Sequence, residues 1–372
     1  MTGRLALWAA CAVAALTLAG CAAERPKPTP LESYTPKISA RQVWNVRLGK
    51  LDFPLVPAVR DGRIVVADSA GNVTALAADT GAELWRASAG AALSAGVGSD
   101  GRFSSVVTRR NELVTFDGGR EIWRQQVPSS VVTPPFVAGE RVFVLGVDRA
   151  VQAFDALDGR RLWTLQRPGD ALTLAMPGVL AAYHNTLLVG QGAQLAGVDP
   201  LRGTVTWSVP LATPRGANEV ERLADLVGPP ARHGSRFCAR AFQSAVGCAD
   251  AARGALLWSR TSGGIQPVGG DAERVYGADA VDRINAWRAD NGDVVWSSER
   301  MLNRGLSGAL AMGTLVVFGD YEGYVHFLDA ATGATQLRLA TDGSQVIGAP
   351  QMAGQTLLVL TRDGGLFAFR QN

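Results

Sequence analysis

The side chains of this 372-residue sequence that could do chemistry are few and scattered. There are four cysteines and three histidines. Cys238 and Cys248 lie in the stretch RFCARAFQSAVGCAD. A hairpin centred on Gln243 sets position 238 opposite 248, and opposed Cβ atoms of a non-hydrogen-bonded pair come within disulfide reach. In an oxidising compartment a disulfide is expected there, the alternative being two free buried thiols. Two such ligands do not make a metal site, and His184, His233 and His326 are spread along the chain, each read as solvated or satisfied. Asp79, Asp158, Asp199, Asp290 and Asp329 recur, but always beside a turn, so turn chemistry accounts for them better than acid–base pairing. No GxSxG elbow, HExxH helix or P-loop is present. The convergent set that catalysis requires is missing, so no catalytic residue, metal or cofactor is expected. Charge points the same way. Lys and Arg total 36 against 33 Asp and Glu, and without a basic block nucleic acid is not an expected partner.

The recurring turns belong to a larger repeat. A glycine stands four residues before an aromatic in Gly81/Trp85, Gly119/Trp123, Gly159/Trp163, Gly203/Trp207, Gly254/Trp258 and Gly292/Trp296, and Gly333/Leu337 keeps the frame without the indole. Trp44, in RQVWNVRL, has no hairpin before it, while the chain ends in GGLFAFR with no Trp strand after it. Successive marks lie 38 to 51 residues apart, the widest interval running from Trp207 to Trp258. A period near 40–45 with short strands is the signature of propeller blades. Each unit reads strand, turn, strand, turn, and the 43 glycines suit that many tight turns. Alternation in strands such as RVFVL (141–145) suits sheets stacked on neighbours. The expected fold is all-β: an eight-bladed β-propeller of four-stranded antiparallel blades over residues 41–372. Pairing of 42–48 with 366–369 closes the ring and removes open sheet edges. The tryptophans are then architecture, each filling the gap to the next blade while its N–H finds a carbonyl.

The N-terminus reads as an address. Arg4 precedes an apolar run from Leu5 to Leu18, and Leu18-Ala19-Gly20-Cys21 resembles the bacterial lipobox. Residues 1–20 are thus expected to be a lipoprotein signal peptide, with acylation and a new N-terminus at Cys21. Multiple acyl chains contribute about 0.8 kcal/mol per buried methylene, enough to anchor firmly. Ala22 rather than Asp follows, which favours the outer membrane, facing the periplasm. Residues 21–40 carry Pro26, Pro28, Pro30 and Pro36 and read as an extended tether.

Two resemblances follow from these motifs. Ala75…Thr80-Gly81…Trp85 matches the AxxxxTGxxxW docking pattern of quinoprotein dehydrogenases, eight-bladed enzymes built around pyrroloquinoline quinone and calcium. Those chains are much longer and carry a vicinal cysteine pair, which is absent here. The lipobox, the proline-rich segment and eight such blades, with GDYEGYVHFLDAATG (319–333) and NEVERLADLVGPP (218–230), together resemble the BamB family of the β-barrel assembly machinery. The resemblance implies a non-enzymatic outer-membrane lipoprotein that binds the periplasmic POTRA domains of BamA and aids delivery of unfolded barrel proteins. It also implies two contact loops. The first is Asp170-Ala171-Leu172-Thr173-Leu174-Ala175, with Leu172 and Leu174 as apolar anchors and Ala175 where the family often has Arg. The second supplies Glu221, Arg222, Leu223 and Asp225, with Val227 at a position that is often Asp. LTLAM (172–176) reads equally as an inner core strand or an exposed hot spot, and the charged loop has a solvated surface as its bland alternative. A quinone-dependent dehydrogenase and a lipoprotein bound to peptidoglycan or another envelope partner are the competing functions.

Overall fold

The structure, a computed structural model, describes residues 26–166, 173–214 and 216–371. Every regular element among them is a β-strand, and the strands form eight four-stranded antiparallel sheets. Blades 1 to 7 span 58–88, 98–126, 136–165, 180–210, 226–261, 269–298 and 310–340, each in chain order. Blade 8 takes Gln351–Ala353, Thr356–Leu360 and Gly365–Gln371 from the C-terminus and Ala40–Arg47 from the N-terminus. Ala40 pairs with Gln371, Gln42 with Phe369, Val46 with Leu366 and Arg47 with Gly365. The two chain ends thus share one sheet, and the ring is closed.

The first strand of each blade is the innermost. Because strand direction alternates, the turns joining strands one to two and three to four lie on one face of the ring, the turn face. The turns joining strands two to three, and the loops to the next blade, lie on the other, the loop face.

Burial follows from stacking. The middle strands Phe103–Val107, Leu315–Gly319 and Thr356–Leu360 are buried at every position, whereas the outer strand Glu83–Ser88 alternates. In Arg141–Leu145, four successive residues, Val142 to Leu145, are buried. The alternation expected for that strand is therefore not seen, because a neighbouring blade covers each face and leaves no solvent side.

The indoles seal the blade junctions. Trp44 lies on Gly81 of blade 1, Trp85 on Gly119 of blade 2, and the series continues through Trp296 on Gly333 of blade 7. Each of these glycines has positive φ, from 62° to 87°. A Cβ on Gly254 would stand 2.5 Å from Trp207, so only glycine fits this turn. Indole N–H groups donate three residues before the docking glycine: Trp123 to Ala156 O at 2.8 Å, Trp163 to Pro200 O, Trp258 to Ala289 O and Trp296 to Ala330 O at 3.0 Å.

The junction of blades 7 and 8 differs. Leu337 stands in the Trp position, and blade 8 has no turn between its third and fourth strands to offer a glycine, since those strands are Gly365–Gln371 and Ala40–Arg47. Residues 27–40 run along blade 7 instead. Thr29 N donates to Leu302 O at 2.9 Å, Thr335 Oγ1 to Glu32 at 2.6 Å, Arg338 N to the Tyr34 hydroxyl at 2.7 Å and Lys37 N to Gln336 O at 3.0 Å. The Arg338 guanidinium lies over the Tyr34 ring, and Ile38 and Ala40 pack on the apolar cluster around Leu337 and Phe369. The proline-rich segment read as an extended tether is, from residue 27 onward, docked on the propeller. Its prolines keep it extended, but extension here serves contact with a blade.

Candidate functional site

The two loops implicated by sequence meet on the loop face. One is the connection from blade 3 to blade 4, the other from blade 4 to blade 5. Leu174 N donates to Asp225 Oδ2 at 2.9 Å, and Asp225 Oδ1 stands 3.6 Å from the Arg149 guanidinium. Thr173 Oγ1 donates to Val147 O at 2.9 Å, tying the first loop to the turn that carries Arg149. Asp225 is held by its own backbone, its carbonyl accepting from Phe242 N at 3.0 Å. A cleft lined by Thr173, Leu174, Met176, Arg149, Gln191 and Asp225 opens between them.

Leu174 and Met176 are half-buried and Ala175 is exposed, in an irregular segment that precedes the inner strand Leu180–Tyr183. The reading of 172–176 as an inner core strand is therefore set aside for its described residues. Asp170, Ala171 and Leu172 lie outside the described residues.

The second loop is braced from within. Asn218 Oδ1 accepts from Glu221 N at 2.9 Å, while the Glu221 carboxylate accepts from Ala217 N at 2.7 Å and from Asn218 Nδ2 at 2.9 Å. This reciprocal arrangement is that of a capping box applied to a turn. Glu221 thus holds the loop, and Val220, 70% exposed, is what the loop presents. Arg222 is half-exposed, its amide bonded to Asn218 O and its side chain directed by no hydrogen bond among the described residues. Leu223 is half-buried. Val227, at the position that is often Asp, lies in a strand. It is only 2% exposed, pairs with Arg240 within blade 5 and bridges Gly178, so it belongs to the core and not to a polar contact.

Sequence reasoning missed Arg149 and Val220. Arg149 sits at φ +66° in a turn, a strained position for a long side chain. Val220 was visible as an apolar residue amid polar neighbours, but its exposure depends on the Asn218–Glu221 brace.

Two other places bring reactive side chains together. Cys238 and Cys248 face each other across the hairpin and are joined, with Cα atoms 4.0 Å apart. The GDYEGYVH stretch builds a buried ionic knot. Asp320, fully buried, accepts from the Arg304 guanidinium at 2.8 and 2.9 Å and from His326 Nε2 at 2.9 Å, and Glu322 also reaches Arg304. Burial alone would raise the Asp320 carboxyl, but His326, the Tyr324 amide and Arg304 outweigh it and hold the group below its ordinary value. Burial pushes the His326 ring below its ordinary value and, aided by the nearby Arg338 and Arg304 charges, outweighs the pull of Asp320. Arg338 Nε donates to Nδ1 at 3.4 Å, which assigns a neutral ring with its proton on Nε2. Arg304 also reaches Thr29 O at 3.1 Å, so the knot ties the N-terminal segment to blade 7. Arg304, Asp320 and His326 are buried and only Glu322 meets solvent, so the knot's work is structural. No group of three His, Cys, Asp or Glu side chains that could hold a metal occurs among the described residues.

Comparison with known proteins bears on both fold and role. The family model described as outer membrane protein assembly factor BamB matches residues 69–298 and 283–372. A protein of that name from Burkholderia pseudomallei is 35% identical over 374 residues, 99% of this chain and 98% of the relative. Its counterpart in Bordetella pertussis is 35% identical over 366 residues, 96% and 95% of the two chains. Among solved structures, BamB from Moraxella catarrhalis superposes with a TM-score of 0.80 at 21% identity, covering 89% of this chain and all of that one. A quinohemoprotein alcohol dehydrogenase from Comamonas testosteroni reaches a TM-score of 0.67 at 16% identity, which is a likeness of fold alone.

Proposed function

The chain belongs to the family of outer membrane protein assembly factor BamB, and on that premise we propose that it is a non-catalytic, lipid-anchored scaffold of the β-barrel assembly machinery. Its loop face docks the periplasmic POTRA domains of BamA, and Cys21 carries the acyl chains that hold it on the periplasmic side of the outer membrane. Unfolded outer-membrane proteins are the clients that this docking serves.

The observation that carries the reading is the junction of the two loops through Asp225. One carboxylate fixes the Leu174 backbone and faces Arg149, so two separate connections present one preformed surface. Half-buried Leu174 and Met176 and exposed Val220 supply the apolar anchors, with Ala175, Arg222 and the rest as rim. Rigid presentation lowers the ordering cost of binding, which is where small interfaces gain affinity. An enzymatic reading has no comparable support, because the dehydrogenase likeness is one of fold alone at 16% identity and the chain lacks that family's vicinal cysteines.

The test is affinity capture of the full lipidated protein from solubilised outer membranes. Co-elution of BamA at near-equal amount is the expected result. Its absence, with another envelope component in its place, would reject the role.

A further inference from the structure

We infer that residues 27–37 are a docked strap that fixes how the ring faces the membrane, with the loop face turned toward the bilayer. This rests on the lipidation of Cys21 proposed above.

The strap begins on the loop face. Asn303 Nδ2 donates to Lys27 O at 3.4 Å, and Thr29 bonds Leu302 and Arg304 through both its N–H and its carbonyl. Residues 302–304 lie in the connection from blade 6 to blade 7, on the loop face by the strand alternation above. Asn303 N is itself bonded to Val281 O at 3.1 Å, in a turn on that same face. From there the strap passes Glu32, Tyr34 and Lys37 along the outer strand Thr335–Ala340 and enters blade 8 at Ala40. Its contacts reach into the buried Arg304–Asp320 knot, so release would uncover a fully buried ion pair.

The geometric consequence is a short leash. Six residue steps separate Cys21 from Lys27, which span at most about 22 Å. Were the segment free to residue 40, the reach would be about three times longer and any face could meet the bilayer. With the strap docked, the blade 6–7 sector of the loop face is held beside the lipid. The loops around Leu174, Val220 and Asp225 open on the same face, two to three blades away. A partner bound there sits between the ring and the membrane, which suits the periplasmic part of a membrane-embedded assembly.

The experiment uses the full lipidated protein on vesicles of phosphatidylethanolamine and phosphatidylglycerol carrying a headgroup-bound quencher. A fluorophore is placed at Val281→Cys, on the loop face, or at Leu201→Cys, in a turn on the opposite face; both positions are exposed. The faces are a strand length apart, about 17 Å, and quenching at 281 is expected to exceed that at 201 at least about twofold. A twelve-residue Gly/Ser insertion between Pro26 and Lys27 leaves every strap contact in place and should abolish the difference while the protein still floats with vesicles. Equal quenching of the two positions in the floating wild type overturns the strap's orienting role alone. Failure of the wild type to float, as for Cys21→Ser, overturns the anchor and the orientation with it.

Discussion

Seven blade junctions and one exception solve the same problem in different ways. At the seven, a tryptophan from one outer strand lies on a left-handed glycine of the next blade. Apolar area and a missing Cβ do the work at all seven, joined by an indole hydrogen bond at five, and each is encoded within about forty residues. At the junction of blades 7 and 8 the glycine turn is missing, because the last two strands of blade 8 are Gly365–Gln371 and Ala40–Arg47 rather than a hairpin. Leu337 and a strap from the other end of the chain fill the place, secured by the buried knot of Arg304, Asp320 and His326. A repeat can be sealed locally everywhere except where it closes, and the closing junction recruits residues some three hundred positions away.

The largest effects should come from the centres of the two kinds of junction. Trp258→Ala removes a buried indole and its bond to Ala289 O, an expected loss of about 3–5 kcal/mol. Arg304→Ala leaves Asp320 buried without its guanidinium, also about 3–5 kcal/mol, lessened if His326 takes up a proton. Denaturant unfolding measures both. If the junctions are independent devices, the double variant should be additive within about 0.5 kcal/mol; strong coupling would break the comparison.

Gly254→Ala sharpens it. The new Cβ would meet Trp207 at 2.5 Å on a residue with φ of 62°, so a loss of about 2 kcal/mol is expected. Gly313→Ala, also at positive φ but with open space around it, should lose less, and equal losses would show that docking geometry is not the cause. Tyr34→Ala takes one hydrogen bond and a cation–π contact from the strap, worth about 1 kcal/mol. Proteolysis within residues 27–37 should accelerate without change to the blades.

The smallest effect is a pH slope. His326 titrates below its ordinary 6.5 in the folded ring, so the unfolded chain takes up the proton first as pH falls. The stability this supplies is whole above about pH 6.5 and declines below it. Asp320, also depressed, adds a loss of the same sign at more acid pH, below its ordinary 3.8. Thermal unfolding between pH 7 and 5 should slope less in His326→Gln, which keeps a donor for Asp320 without titrating. An unchanged slope would assign the pH dependence elsewhere.

This contrast also explains what the sequence disclosed. The Gly–Trp frame, the eight blades and the pairing of the chain ends were legible because each blade repeats its own local code. So was the face-to-face placement of positions 238 and 248, since a hairpin's register is local. Residues 27–37 were not, because nothing in a proline-rich stretch names the blade it will lie on. The loop site was legible by resemblance and by the long interval before Trp258, yet Arg149, arriving from another blade, was invisible. The burial of Val227 was hidden for a related reason. Loop and strand merge at Leu226, and only the pairing with Arg240 shows on which side of that boundary the residue falls.

The most direct test of the docking surface is a titration of purified BamA POTRA domains with the soluble Cys21→Ser protein, measured calorimetrically. Saturable one-to-one binding is expected for this protein, with loss of detectable binding in Leu172→Asp/Leu174→Asp at unchanged thermal stability. Wild-type affinity in that folded double variant would contradict the assignment of the loop face as the docking surface.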